Sequence, residues 1–395
     1  MENKASRLIY LDNNATTQVA PEVLEEMLPY FTEYYGNPSS LYPFGGQLAE
    51  EINRARIRIA ELIGARLEVE IFFTSGATES NNAAIRGALA VHPDRRHLII
   101  SKAEHDCVLN VAADLESQGY EVTRLGVDHT GQIDLNELYK SIRSDTALIS
   151  VMYANNETGV VFPVEKIAEI AREHGVLYHC DAVQAAGKIP VNVGKIPVDM
   201  LSLSGHKIHG PKGVGVLYVR RGVRLKPFIF GGEQERGRRG GTENVPAIIG
   251  LRKAAELSHA FLKEGMSYVR DLRDRLEEGI ISQIPMSQVN GRESARIPNT
   301  TNISFEGIEG EAALLELNEL GVCASSGSAC ASGKFEPSHV LKAMGIHDHM
   351  GHGALRFSLG RYNTEEEVDF VIRELPAIVS RLRKWSPSKA KTVSL

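Results

Sequence analysis

From Glu70 to Val219 the chain alternates short apolar runs with helical patterns, and this alternation restricts the fold more than any other feature. EIFFTS leads into SGATESNNAAIRGALA, HLIIS into VLNVAADLESQG, EVTRLGV into LNELYKSI, and ALISVMYA into VEKIAEIAREHG. VLYHCDAVQ, DMLSLS and VGVLYV follow. Apolar strands spaced by helical segments predict an α/β fold, a mostly parallel sheet flanked by helices on both faces. Ligands in such sheets sit beyond the carboxyl ends of the strands. The chemistry is therefore expected just after each strand.

The flanks read differently. Before the alternation, the pattern predicts a helix from Pro21 to about Tyr35, loop chemistry over GNPSSLYPFGG, and a long helix over AEEINRARIRIAELIGA. After it come a Gly- and Arg-rich loop, FGGEQERGRRGGTENVP, and helical patterns to about Ile281. PNTTNISFEGI, a helix from Glu309, a short helix at Ser338 to Met344, ALRFSLGRY and a last helix from Thr364 to about Lys384 then read as a smaller α+β region. A chain of 395 residues accommodates two domains. The division expected is a large domain over 16–262, with 1–15 and 263–395 forming a small one.

Charge and apolar content exclude some classes. A net charge of −6 gives no electrostatic reason to expect nucleic acid. No apolar run reaches the length of a membrane span, and the N-terminal stretch lacks a secretory pattern, so the cytoplasm is the expected compartment. The cysteines Cys107, Cys180, Cys323 and Cys330 form no C-x-x-C and match no zinc spacing; neither does the histidine-rich GIHDHMGHG. No metal site is expected. Cys180 follows an apolar run and reads as a small buried hydrophobe, and Cys107 can be read the same way.

Candidate chemistry lies where the strands end. Lys207 sits among small residues in SGHKIHGPKGVG, where desolvation disfavours an ammonium ion and frees an amine for Schiff-base chemistry. The plain alternative is a glycine-rich hairpin with a solvated lysine. FTSGATES is a strand turning into a helix whose first N–H groups, with the Thr78 hydroxyl, form an anion cradle; an ordinary N-cap explains it equally well. His105 ends one strand with a planar ring suited to stacking. Asn156, in the turn YANNETG, can orient a polar group. Asp181 follows an apolar strand, where a charge needs a reason, and Gln184 comes three residues later. A carboxylate there can keep a pyridinium nitrogen protonated, or simply cap a helix. A phosphate cradle, a stacking ring, a carboxylate and an amine together point to pyridoxal 5'-phosphate.

YLDNNATT, TSGATESNN, VMYANNETG, HCDAVQAAGKIPV, SGHKIHGPKGVG, GRRGGTENVPAIIGL, SSGSACASG and RFSLGRY, in this order, resemble the cysteine desulfurases of the aminotransferase class V family, most closely the NifS-type branch. The resemblance spans nearly the whole chain. It implies a fold-type I pyridoxal-phosphate transferase, a homodimer with its active sites at the subunit interface. Lys207 would then carry the cofactor, Asp181 pair with its ring nitrogen, Gln184 bond its phenolic oxygen and His105 stack on its ring. Ala77, Thr78, Ser204 and His206 would hold the phosphate, joined by Thr242 from the other subunit. Asn156 and Arg356 would position the L-cysteine substrate, and Cys330 would accept its sulfur as a persulfide for an iron–sulfur scaffold or other acceptor protein.

The residues around Cys330 bear on that role. CASSGSACASG, from Cys323 to Gly333, has no large side chain to pack, so the sequence predicts a mobile arm. The span from Cys323 to Cys330 reaches up to roughly 25 Å when extended. Cys323, at its base, reads as structural. Rival readings are a selenocysteine lyase or aminotransferase on the same fold, and a non-catalytic sulfur carrier with an idle Lys207. An iron–sulfur protein ligated by its own cysteines fails on spacing.

Overall fold

The computed structural model describes residues 8–326 and 337–385; Cys330 lies outside the described residues. In chain order the first strands are β1 (Ile9–Tyr10), β2 (Ile71–Thr74), β3 (His97–Ser101), β4 (Glu121–Leu125), β5 (Thr146–Ser150) and β6 (Leu177–Asp181). β7 (Met200–Ser204), β8 (Gly215–Val219), β9 (Ser287–Val289), β10 (Thr300–Phe305), β11 (Val322–Cys323) and β12 (Ala354–Ser358) follow. The helices begin with α1 (Pro21–Met27), α2 (Pro29–Thr32), α3 (Pro43–Ile63), α4 (Ala77–Ala90), α5 (Asp106–Ser117), α6 (Leu135–Ser141) and α7 (Val164–Glu173). They continue with α8 (Val245–Glu264), α9 (Met266–Gln283), α10 (Gly310–Glu319), α11 (His339–Ala343), α12 (Asp348–Gly351) and α13 (Glu365–Trp385).

Among the described residues, β2 to β8 form one seven-stranded sheet in the order β2-β8-β7-β6-β5-β3-β4. β7, β6, β5, β3 and β4 run parallel, and β8 lies antiparallel between β2 and β7. The fold is thus α/β and mostly parallel. β8 is reversed because the link Gly205–Val214 is shorter than the dozen or so residues a parallel crossover needs. Side chains alternate between the faces as the pleat requires. Phe73, Ile99, Ile149 and Leu201 join one apolar core with Leu48, Ile59 and Ile249 of α3 and α8. Phe72, Leu98, Leu148 and Met200 join another with Ile85 and Val108 of α4 and α5. Each such fully buried side chain contributes about 1.5–3 kcal/mol against solvation.

A third core gathers Ile9 and Leu11 with residues of α9, α10, α13 and the antiparallel sheet β12-β10-β9. β1 pairs with β11 in parallel, Ile9 opposite Val322 and Tyr10 opposite Cys323. The first residues of the described chain are therefore knitted to its last third.

Two helical expectations need correction. The single helix from Pro21 to about Tyr35 is two, α1 and α2, broken at Pro29, which lacks the N–H that would continue the ladder. Conversely, the run GNPSSLYPFGG is only partly loop. α3 starts inside it at Pro43, whose fixed φ suits a first helical turn. Gly45 sits in that turn because a Cβ there would lie 2.3 Å from the carbonyl oxygen of Asn37. Its small size serves a close contact rather than a loop.

Candidate active site

At the carboxyl ends of the parallel strands lies a cavity of about 650 Å³. His105 enters it from the link after β3, Asn156 from beyond β5, Asp181 and Gln184 from β6 and its following turn, Ser204 from the end of β7, and His206 and Lys207 from just beyond it. Ala77 and Thr78 enter from the start of α4, and Arg356 from β12. Thr242 does not line this cavity within the chain; it borders a neighbouring one of about 170 Å³, beside Ser75 and Gly213.

Lys207 lines the larger cavity. Burial, reinforced by the Arg356 guanidinium, pushes its amine down to about 8. A neutral amine is thus accessible near physiological pH. Its Nζ donates to the backbone carbonyls of Asn14 and of Ala15, the latter at 2.8 Å. Its neighbour His206 is held neutral by burial and the adjacent lysines, which push it down to about 4.

Asp181 is 6% exposed. Its Oδ1 accepts the Val183 N–H at 3.0 Å, and its Oδ2 accepts from Asn81 Nδ2 at 2.7 Å. The same Asn81 amide reaches Cys107 Sγ at 3.0 Å. Cys107 packs against the apolar core of α4 and α5, as a small buried hydrophobe would, while its side chain also borders the cavity; burial together with the nearby Asp181 charge pushes its thiol up to about 12. Its backbone N–H donates to His105 Nδ1 at 3.1 Å, making His105 the N-cap of α5. Nδ1 is thereby an acceptor, and the neutral ring's proton belongs on Nε2. Behind His105, Glu104 is wholly buried, its Oε1 accepting from Ser101 Oγ at 2.7 Å and the Met152 N–H at 2.9 Å. Burial pushes this carboxyl up to about 8, so it is a neutral acid at pH 7.

The phosphate end is built by backbone. Gly76 adopts φ 155° and ψ 176°, a region open essentially to glycine alone. A Cβ on it would meet nothing within 4 Å, so the turn faces open space. No side chain caps α4, leaving its positive end to the cavity. On the other side Gly215 of β8 packs so tightly that a Cβ would lie 2.6 Å from Gly76 Cα.

The remaining wall includes Asn14, Ala15 and Thr16. Asn14 Nδ2 donates to the Asn156 carbonyl at 3.0 Å and to Thr300 Oγ1 at 2.8 Å, and its backbone N–H donates to Ser358 Oγ at 2.9 Å. Arg356 Nη1 donates to the Asn156 carbonyl at 3.1 Å and Nη2 to Asp12 Oδ1 at 2.8 Å, while its buried Nε has no partner among the described residues. The site residues that sequence reading missed are Asn14, Asn81 and Lys188. The one available signal for Asn14 was the polar pair Asn13-Asn14 directly after an apolar strand.

An anion-ready helix start, a buried carboxylate and a deprotonatable amine fit pyridoxal 5'-phosphate: the amine for its aldehyde, the carboxylate for its ring nitrogen, the helix for its phosphate. A strand-end site of this kind on a mostly parallel sheet defines an α/β group-transfer enzyme. The family model described as Aminotransferase class-V matches residues 9–371. "Cysteine desulfurase 2" of Trichormus variabilis is 58% identical over 380 residues, covering 96% of this chain and 95% of that protein. "Cysteine desulfurase NifS" of Azotobacter vinelandii is 52% identical over 379 residues, covering 96% and 94%. A solved structure titled "NIFS-LIKE PROTEIN" superposes with a TM-score of 0.89 at 40% identity, covering 95% of this chain and all of that one. The chain belongs to the aminotransferase class-V family, in its cysteine desulfurase branch.

Proposed function

We propose that this protein converts L-cysteine to L-alanine and keeps the sulfur as a persulfide on Cys330, supplying it for iron–sulfur cluster assembly. The observation that carries the reading is Lys207: an amine pushed down to about 8 on the floor of a cavity shared with Asp181 and the open start of α4. The net step balances as L-cysteine plus the Cys330 thiol giving L-alanine plus the Cys330 persulfide. The two sulfurs are oxidised as the S–S bond forms, and the substrate carbon that loses its C–S bond is reduced and takes a proton.

Bound pyridoxal phosphate supplies an electron sink for the bonds at the substrate's Cα and Cβ. The chain's residues do the rest. Lys207, once free, is placed to take the Cα proton as a general base. Asp181 holds the ring nitrogen protonated, and Asn81 keeps that carboxylate aimed. His105, anchored through Nδ1, offers Nε2 for proton transfer, and its ring for stacking. Ala77, Thr78, Ser204 and His206 hold the phosphate, Gln184 donates to the phenolic oxygen, and Arg356 with Asn156 grips the substrate carboxylate. Thr242 of the partner subunit completes the phosphate site in a homodimer. Cys330 is assigned from its motif alone.

The reading extends to location and partners: a cytoplasmic homodimer handing sulfur to a scaffold protein, with no nucleic-acid or membrane partner. Among the described residues no helix is long and apolar enough to cross a membrane. The test is direct. Protein reconstituted with pyridoxal phosphate and given L-cysteine is expected to release alanine with no amino acceptor present, and Cys330→Ala to keep the yellow colour while losing that release. Alanine formation undiminished in Cys330→Ala removes the thiol from the reaction.

A further inference from the structure

Lys188 lies in the turn after β6, 6% exposed, with its side chain beside the cavity floor. The charged and titratable groups that act on it, or on which it acts, are Lys207, Arg356, His206 and His209. All are bases, and no carboxylate is among them. Its Nζ donates to Asn14 Oδ1 at 3.0 Å and to Gln184 Oε1. Two oxygen acceptors match the two N–H groups of a neutral amine, whereas an ammonium would present a third donor. Burial and the charges of Lys207 and Arg356 push this amine well below the ordinary lysine range, in keeping with that count.

Both acceptors are themselves fixed. Asn14 cannot turn its amide, because Nδ2 is committed to the Asn156 carbonyl and Thr300 Oγ1, while Oδ1 also accepts from Asn299 Nδ2 at 3.1 Å. Gln184 is held at both ends: Oε1 takes the Lys188 N–H, and Nε2 donates to the Asn14 carbonyl at 3.0 Å. One N–H of Nε2 remains, on a side chain that lines the cavity. Without Lys188, the buried Oε1 loses its donor and the amide has a reason to rotate.

We propose that Lys188 is a positioning residue: its amine locks the Gln184 amide so that Nε2–H, and not Oε1, meets the cofactor's phenolic oxygen, which sets the pH at which the Lys207–cofactor linkage loses its proton. The proposal rests on the assignment of Gln184 made above. A donor on the phenolic oxygen stabilises its anion and competes with the linkage N–H for it, so the linkage deprotonates at lower pH.

The test is the pH titration of the visible absorption of the reconstituted holoenzyme. Lys188→Met is expected to raise the transition by about one pH unit, the loss of one hydrogen bond to a charged oxygen. In a Gln184→Ala background the same substitution is expected to move nothing further, because the amide it locks is gone. Lys188→Gln, which keeps a donor, is expected to titrate as wild type does. This variant stands in if Lys188→Met folds poorly, and a full unit's rise in Lys188→Gln overturns the proposal. So does an unchanged transition in Lys188→Met, or a shift that persists undiminished without Gln184, which would make Lys188 a through-space charge. A wild-type protein that takes up pyridoxal phosphate without a visible band at any pH fails the cofactor reading itself, and the proposal with it.

Discussion

The cavity has two walls of different construction. One is made at the ends of the parallel strands, where Asp181 closes β6 and Thr78, His105, Gln184 and Lys207 come from the turn or helix start that follows a strand. The other is the segment Asp12–Thr17, with no regular structure of its own beyond β1, held by partners such as Asn156, Thr300, Arg356 and Ser358. The first wall carries the reactive groups, among them the Lys207 amine that burial pushes down to about 8. The second carries few reactive groups but supplies the carbonyls on which Lys207 rests and the amide that Lys188 reads. Chemistry and alignment are thus divided between a wall made by local sequence and a wall made by long-range hydrogen bonds.

Substitutions on each wall break or sharpen this division. Lys207→Ala, on the strand-end wall, is expected to lower turnover by about four orders of magnitude, the upper range for a lost general base, with the fold intact. Borohydride reduction followed by peptide mass analysis checks it, and a reduced adduct on any other lysine refutes the assignment. Asn14→Ala, on the opposite wall, is expected to remove about 3 kcal/mol of stability, since several buried groups lose partners at once. Urea denaturation measures this, and a loss below about 0.5 kcal/mol would deny the segment its structural role. Arg356→Lys joins the walls less well, giving up a planar fork for a point charge. Its KM for cysteine is expected to rise about thirtyfold with turnover less affected.

The smallest effect belongs to Glu104, behind the strand-end wall. Its folded-state carboxyl is pushed above its ordinary value of 4.5 to about 8. As pH climbs through that window the unfolded chain ionises while the native one does not, so native stability falls. Glu104→Gln is expected to lose less stability than wild type between pH 6 and 9, by about 1 kcal/mol or more. Melting curves across that range decide it, and parallel pH profiles for the two proteins would show that Glu104 is already ionised in the fold.

The same division explains what could be read from the chain beforehand. Asp181, Gln184 and Lys207 were legible because strand alternation places each residue at a carboxyl end, where a polar or charged group is conspicuous. Asn14, Asn81 and Lys188 were not, because their meaning lies in partners as far as 344 positions away, as for Asn14 and Ser358. Cys107 does pack against core, as read, but no local pattern records that Asn81 and His105 bracket its thiol at the cavity edge. Density of glycine and proline hid the start of α3, since Gly45 answers to a tertiary contact that no local pattern records.

The Asn14 tether also has a consequence in time. A ribosome adds Asn14 to the chain 344 residues before the Ser358 to which it bonds. The pocket's second side cannot take its final form before Arg356 and Ser358 of β12 have emerged, so it closes after the strand-end groups of the first have been made. A nascent chain stalled short of β12 would hold its reactive lysine on an unfinished floor.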